Sequence, residues 1–179
     1  MDRTITFSLD SGSIANAIRE LERFRDDFVE RCVRLRRLVA ERIRWSAAQG
    51  FASAVVSDIV LNRGGYVPVN DVQVTAQENG DVSIVFAEGT QAIFIEFGAG
   101  VYHNGAAGSS PHPWGGMMGY VIGSYGLGNG VKNAWGFYSG QNDQAHLVVT
   151  HGTPAAMPMY HGVEEAIRSI DEMVREVFG

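Results

Sequence analysis

Ile14 to Ile43, IANAIRELERFRDDFVERCVRLRRLVAERI, is the stretch that decides the architecture. Its apolar residues at 14, 18, 21, 28, 32, 35, 39 and 43 recur at steps of three or four, with one step of seven, and the positions between are mostly charged. An α-helix advances about 100° per residue, so this spacing gathers the apolar side chains on one stripe and predicts a long amphipathic helix. The helix is placed at about 13–48, with Ser11 or Ser13 expected to cap its start and Gly50 to mark a break or bend. The next apolar run, Ala52 to Leu61, fits a second helical segment or a strand, the helix being favoured, before Asn62-Arg63-Gly64-Gly65 stops it.

Downstream the period changes to two. Val72, Val74 and Ala76 alternate with polar residues, as do Val82, Ile84 and Phe86 after Asn79-Gly80, which predicts a β-hairpin between Val67 and Phe86. Asn-Gly is the expected turn pair because both residues tolerate positive φ. Ala92 to Gly98 (AIFIEFG) reads as a third strand or as a short helix ended by Gly98. Between Gly98 and Gly140 lie 13 of the 22 glycines, mixed with Trp114, Tyr120, Tyr125, Trp135, Phe137 and Tyr138. This is a long loop, and a loop that keeps both glycines and large aromatics is expected to pack against this domain or a neighbouring copy, an interface being favoured.

From Val163 to Phe178 the three-and-four spacing returns, and one amphipathic helix closes the chain. The sum is an α+β fold, two helices packed on a small antiparallel sheet, in one domain over 1–179. Its parts are the long helix at about 13–48, the hairpin and following element at 67–98, the glycine and aromatic loop at 99–149, and a proline-containing segment with the C-terminal helix at 150–179.

A chain of 179 residues is long enough to bury a sizeable core without disulfides. The lone Cys32 cannot form an internal bridge, so a reducing compartment is expected, with Cys32 as a packing residue. No apolar run has the length of a signal peptide or a membrane span, so the protein is expected to stay where it is made, with no membrane partner.

The net charge of −6 argues against bulk nucleic-acid binding, but it conceals a division. Residues 19–44 hold nine arginines against six acids. Residues 64–162 hold one base, Lys132, and six acids, and residues 163–179 hold five acids against Arg168 and Arg175. A basic helix followed by an acidic remainder suits electrostatic docking between copies or partners. Positions 34, 37, 41 and 44 form one stripe, interrupted by Glu41, that reads first as a solvated face, then as a docking face and last as a nucleic-acid contact.

Five histidines, at 103, 112, 146, 151 and 161, raise the question of a metal. Neither HExxH, nor CxxC, nor a helical His pair at i, i+4 is present, so solvated or capping histidines are expected; a site, if built, would start from Glu96 and His103. Glu96, flanked by apolar residues and with no visible acid–base partner, is expected to accept hydrogen bonds at a sheet edge or subunit contact. Gly126-Leu127-Gly128-Asn129-Gly130 lacks the GxGxxG spacing of a nucleotide loop, and Gly123-Ser124-Tyr125-Gly126 is not a nucleophile elbow. No catalytic residue, cofactor or metal is assigned.

Two strings carry more than composition. Ala92-Ile93-Phe94-Ile95-Glu96-Phe97-Gly98-Ala99-Gly100 resembles the YVEFGTG signature of a bacteriophage tail-component family that includes head–tail connector, neck and tail-completion proteins of long-tailed phages. Thr150-His151-Gly152-Thr153-Pro154-Ala155-Ala156-Met157-Pro158-Met159-Tyr160 resembles the family's closing G-x-P-A-x-P-F element, which precedes its C-terminal helix. The glycine and aromatic strings 122–128 and 135–138 are similar to an insertion seen in many members, and the likeness in order spans about 15–178. Ala99, Ala156 and Met159 stand where Thr, Arg and Phe are common in the family.

The resemblance implies a non-enzymatic structural protein of a tailed phage or prophage virion. It would join head and tail or complete the tail within a ring, with itself and other neck or tail proteins as partners, and occupy the virion and, during assembly, the bacterial host cytoplasm. Neighbouring copies are expected to meet through the basic helix and the acidic sheet side. The interface candidates are Arg34, Arg37 and Arg44 on the helix, Glu96 in the EFG element, Trp114, Tyr125 and Trp135 in the loop, and Met157 and Met159 in the closing element. Residues 101–145 are expected to order on assembly, and Pro154 and Pro158 to hold 153–160 extended and rigid. The rival readings are a metal-dependent hydrolase using Glu96 and loop histidines, and a DNA-contacting neck or packaging factor using the arginine stripe.

Overall fold

The computed structural model describes residues 8, 10–57, 66–69, 71–98, 102–103, 106–107, 110–118, 135–139, 146–150 and 153–179. It is an α+β fold. Helix α1 (Ser11–Ser53) is followed by strands β1 (Val55–Ser57), β2 (Tyr66–Pro68), β3 (Gln73–Asn79) and β4 (Val82–Glu88), then by the short helix α2 (Ala92–Phe97). Strands β5 (Tyr102–His103), β6 (Ala106–Ala107), β7 (Trp135–Ser139) and β8 (His146–Thr150) come next, and helices α3 (Pro158–Arg168) and α4 (Ile170–Phe178) close the chain. The described strands pair two by two, each with its successor and each antiparallel. No described helix is long and apolar enough to cross a membrane.

Helix α1 starts earlier and ends later than its periodicity suggests. Its cap is Asp10 rather than Ser11 or Ser13: the Asp10 carboxylate accepts the Ser13 N–H at 2.9 Å, placing an anion at the positive end of the helix dipole. The Ser8 hydroxyl and then the Ser13 N–H hold that carboxyl below its ordinary value. Gly50 neither breaks nor ends the helix, which runs on to Ser53. Its missing side chain serves packing: a Cβ there would lie 2.8 Å from Pro158 Cβ. Gly162 on α3 repeats the device, since a Cβ would lie 2.9 Å from the Ile43 carbonyl and 3.4 Å from Ala47 Cβ. The two glycines let α1 and α3 cross with their backbones close together, and Ala47 between them is fully buried.

The favoured second helical segment over 52–61 is overturned at Val55–Ser57, which pairs with Tyr66–Pro68 as a β-ladder, while Ala52 and Ser53 belong to the last turn of α1. The hairpin stands, with a different turn. Asn79 still pairs with Val82, so Gly80 and Asp81 form the two-residue loop, and Gly80 alone takes a positive φ, +59°. One left-handed position needs one glycine, and Asn79 remains in the ladder. Val74 and Ala76 share a face with their partners Ala87 and Val85, and this face turns toward α1 and the core. Val82 and Ile84 lie on the other face and are exposed.

The core gathers at the C-terminal end of α1. Phe51, Ala54, Val69 and Ile95 are buried together, with Val74, Ala87 and Met159 packed against them. The single closing helix divides at Ser169, whose hydroxyl donates to the Glu165 carbonyl at 2.9 Å, a back-bond that bends helices. Cys32, expected to pack, is exposed. The loop reading of 99–149 holds over residues 110–118, which form bends and turns, and is corrected elsewhere in the described part, which carries β5 to β8, with Trp135–Ser139 laddered against His146–Thr150. The expectation that 101–145 orders on assembly falls largely outside the described residues.

Candidate functional site

The EFG element and the closing proline element, more than 50 residues apart in the chain, meet as one unit. Its first half is α2. Asp71 fixes the turn before it, accepting the Thr90 N–H at 3.1 Å and the Thr90 hydroxyl at 2.5 Å. Gly98, at φ +77°, ends it, donating its N–H to the Phe94 carbonyl at 2.7 Å. Of the two readings left open for 92–98, the short helix is the one adopted, and it buries Ile95, Glu96 and Phe97 in succession.

The second half is the start of α3. Ala156 donates its N–H to the Ile95 carbonyl at 2.8 Å, and Met157 adopts a left-handed conformation, φ 52° and ψ 45°. This turns the chain so that Pro158 occupies the first helical position, where the absent N–H leaves nothing unsatisfied. The rigid extended lead-in therefore stops at 157; residues 158–160 are helix.

Helix α3 has no side-chain cap of its own. Glu96 supplies one from α2. Its Oε2 accepts the Met159 N–H at 2.8 Å and its Oε1 accepts the Tyr160 N–H at 2.9 Å. The His161 N–H reaches the Met157 carbonyl at 2.9 Å, so the donors of the first turn are accounted for. A carboxylate at this place also meets the positive end of the helix dipole.

A third residue completes the cluster. His112, 4% exposed, lies with Nε2 3.1 Å from Glu96 Oε1, while its Nδ1 accepts the Trp114 N–H at 3.0 Å. Acceptance at Nδ1 leaves Nε2 to carry the proton and donate it to Glu96. Glu96, 7% exposed, thus holds three N–H donors, a set that compensates the burial of a carboxylate. The imidazole sits among Phe97, Tyr160 and Trp114, at ring-centroid distances of 4.5, 5.3 and 5.7 Å. Ser110 ties the His112 segment back to α2: its hydroxyl donates to the Phe97 carbonyl and accepts the His112 N–H at 3.2 Å.

Two expectations are corrected here. Glu96 accepts its hydrogen bonds at a helix N-terminus rather than at a sheet edge, and it has an imidazole partner. That partner is the buried His112, not a solvated histidine; the His103 side chain lies outside the described residues. Among the described residues, no group of three His, Cys, Asp or Glu is placed to hold a metal ion.

The unit unites four of the nine interface candidates. Glu96 is buried within it, Met157 and Met159 are half-buried in its second half, and Trp114, half exposed, flanks His112. The arginines lie apart on α1 and are paired within the chain: Arg34 with Glu176 on α4 at 3.1 Å, Arg37 with Glu78 on β3 at 3.7 Å, and Arg44 with Glu41 at 2.7 Å. The basic helix thus meets the acidic hairpin inside one chain. The Ser83 hydroxyl and then the Arg36 guanidinium hold the Glu78 carboxyl below its ordinary value. Tyr125 and the Trp135 side chain lie outside the described residues. Sequence reasoning missed His112 and Ser110; the proline-flanked Ser110-Pro111-His112-Pro113-Trp114 was the available signal.

Compared with family models, with curated proteins and with solved structures, the chain matches none.

Proposed function

We propose that this chain is a structural, non-enzymatic protein of a tailed phage or prophage particle. It joins head and tail or completes the tail, works within a ring of its own copies beside other neck or tail proteins, and assembles in the host cytoplasm. The observation that carries this reading is the clasp itself. The two strings that resemble the phage tail-component family touch each other directly, through the Ile95 carbonyl with the Ala156 N–H and through the Glu96 carboxylate with the Met159 and Tyr160 N–H groups. Glu96, the polar residue conspicuous within the first string, is engaged in positioning the C-terminal helix. Both oxygens of Glu96 face backbone donors, and one also faces His112, an arrangement suited to fixing geometry rather than to activating water.

The test is electron microscopy of particles produced with this gene removed. Filled heads beside separate tails of normal length place the protein at the junction, and overlong or absent tails assign it to tail completion. Intact infectious virions overturn the reading.

A further inference from the structure

Residues 110–118 form a strap beside the clasp, plugged into it by one side chain. Backbone bonds close the strap on itself: the Gly115 N–H donates to the His112 carbonyl at 2.8 Å and the Met118 N–H to the Trp114 carbonyl at 2.9 Å. Gly115 sits too tightly for a side chain, since a Cβ would lie 2.9 Å from Ser110 Cβ and 3.0 Å from the His112 carbonyl. The outer half of the strap faces solvent, with Trp114 50% exposed, Met117 79% and Met118 54%. The His112 imidazole, in contrast, keeps 1% of its side-chain surface in solvent.

Both ring nitrogens of that imidazole are committed. Nδ1 accepts the Trp114 N–H at 3.0 Å, and Nε2 gives its proton to Glu96 Oε1 at 3.1 Å. A second proton can go only on Nδ1, where it would face the Trp114 N–H, donor against donor, in a site without water to receive either. The imidazolium therefore cannot keep both contacts. The new charge strengthens the contact with the Glu96 carboxylate and turns the one with Trp114 repulsive. Among the described residues, the ionisable groups around the ring are few. Glu96 faces it from α2. Tyr160 faces it from α3, ring centroids 5.3 Å apart, with its hydroxyl held above its ordinary value by a hydrogen bond to Glu164. His161, against the other side of Tyr160, is half exposed and pairs with the same Glu164 at 3.2 Å. The strap carries no ionisable side chain besides His112.

We infer that His112 makes the 110–118 strap a proton-operated latch. The neutral ring holds the strap closed. Uptake of a second proton breaks the turn from His112 to Trp114 and frees the outer half, Trp114 to Met118, while Glu96 keeps the imidazolium and goes on capping α3 through the Met159 and Tyr160 N–H groups. The surface that acid rearranges is an apolar one, carrying Trp114, Met117 and Met118. Imidazole is the side chain suited to such a device, because its charge changes in mildly acid water. The latch is a property of the fold and stands whether or not the protein belongs to a phage particle.

The test is an NMR titration of the full-length chain from about pH 8 downward. At the start the ring nitrogens of His112 are expected to show the Nε2–H tautomer. As the ring takes its second proton, the Trp114 amide is expected to shift along the same curve and to lose its protection from hydrogen exchange, while the Met159 and Tyr160 amides keep theirs. In His112→Asn the side-chain oxygen can accept the Trp114 N–H in place of Nδ1 and does not titrate, so the Trp114 transition should vanish; in His161→Gln it should remain. The inference is overturned by a Trp114 amide that shifts without losing protection, which the ring charge alone would cause. It is overturned too by a transition that persists in His112→Asn or disappears in His161→Gln, and by a His112 ring that stays neutral until the fold is lost. Loss of protection at Met159 and Tyr160 together with Trp114 means that the proton has gone to Glu96 and the whole clasp opens, which also overturns it.

Discussion

Replacing Glu96 by Gln tests the clasp with a near-isosteric change. The carboxylate faces three N–H donors, from Met159, Tyr160 and His112. A glutamine amide has one oxygen and one NH2 group. In its better orientation the oxygen keeps Tyr160 and His112 and the NH2 group faces the Met159 N–H, donor against donor. The loss is one hydrogen bond to a charged group, about 1.5–3 kcal/mol, together with about 1–3 kcal/mol for a buried donor left without an acceptor. A total of about 3–5 kcal/mol is expected, in line with the cost of breaking a buried charged contact. For a domain of this size that corresponds to a fall in Tm of roughly 10 °C. The assay is thermal and urea unfolding followed by far-UV circular dichroism, with Glu164→Gln on the exposed side of α3 as the control. A Glu96→Gln variant within about 1 kcal/mol of the wild type refutes the reasoning, because a carboxylate dispensable at that level is not holding the helix.

Two further outcomes follow from the same geometry. Gly→Ala inside a helix ordinarily stabilises by about 1 kcal/mol, but Gly50→Ala and Gly162→Ala are each expected to lose about 1–3 kcal/mol, because the added Cβ meets Pro158 or the Ile43 carbonyl; a gain in urea midpoint for either variant contradicts the close crossing of α1 and α3. Glu78 has a folded-state carboxyl held below its ordinary 4.5, so its tie between the hairpin and α1 is complete above that value and fades as the pH falls through the lower one. The stability difference between wild type and Glu78→Gln should therefore shrink in acid, and a difference that stays constant from neutral pH to well below 4.5 argues against it.

Long, strongly patterned features were legible in the sequence, and the contacts between them were not. The stripe from Ile14 to Ile43 specifies a helix because amphipathic spacing is a local property repeated over many turns. Its ends were misread because Asp10 outcompetes the serines as a cap and because Gly50 answers to Pro158, a residue far along the chain. Gly80 signalled the hairpin, but which residue joined it in the turn depended on the register. His112 went unrecognised because a single histidine between prolines has no period, and its burial follows from the packing of Phe97, Trp114 and Tyr160 around it.

Sequence alone determined the α+β class, the long first helix, the hairpin and the division of charge, since each is written in nearest-neighbour spacing or in simple sums. Tertiary structure alone decided what Glu96 does. The backbone donors it accepts lie 63 and 64 residues away in the chain, and only the packing of α2 against the start of α3 brings a buried carboxylate to a helix end that has no side-chain cap of its own. It likewise decided that the arginines of α1 face acids of their own chain, because pairing between charges depends on distance through space, which the order of residues does not contain.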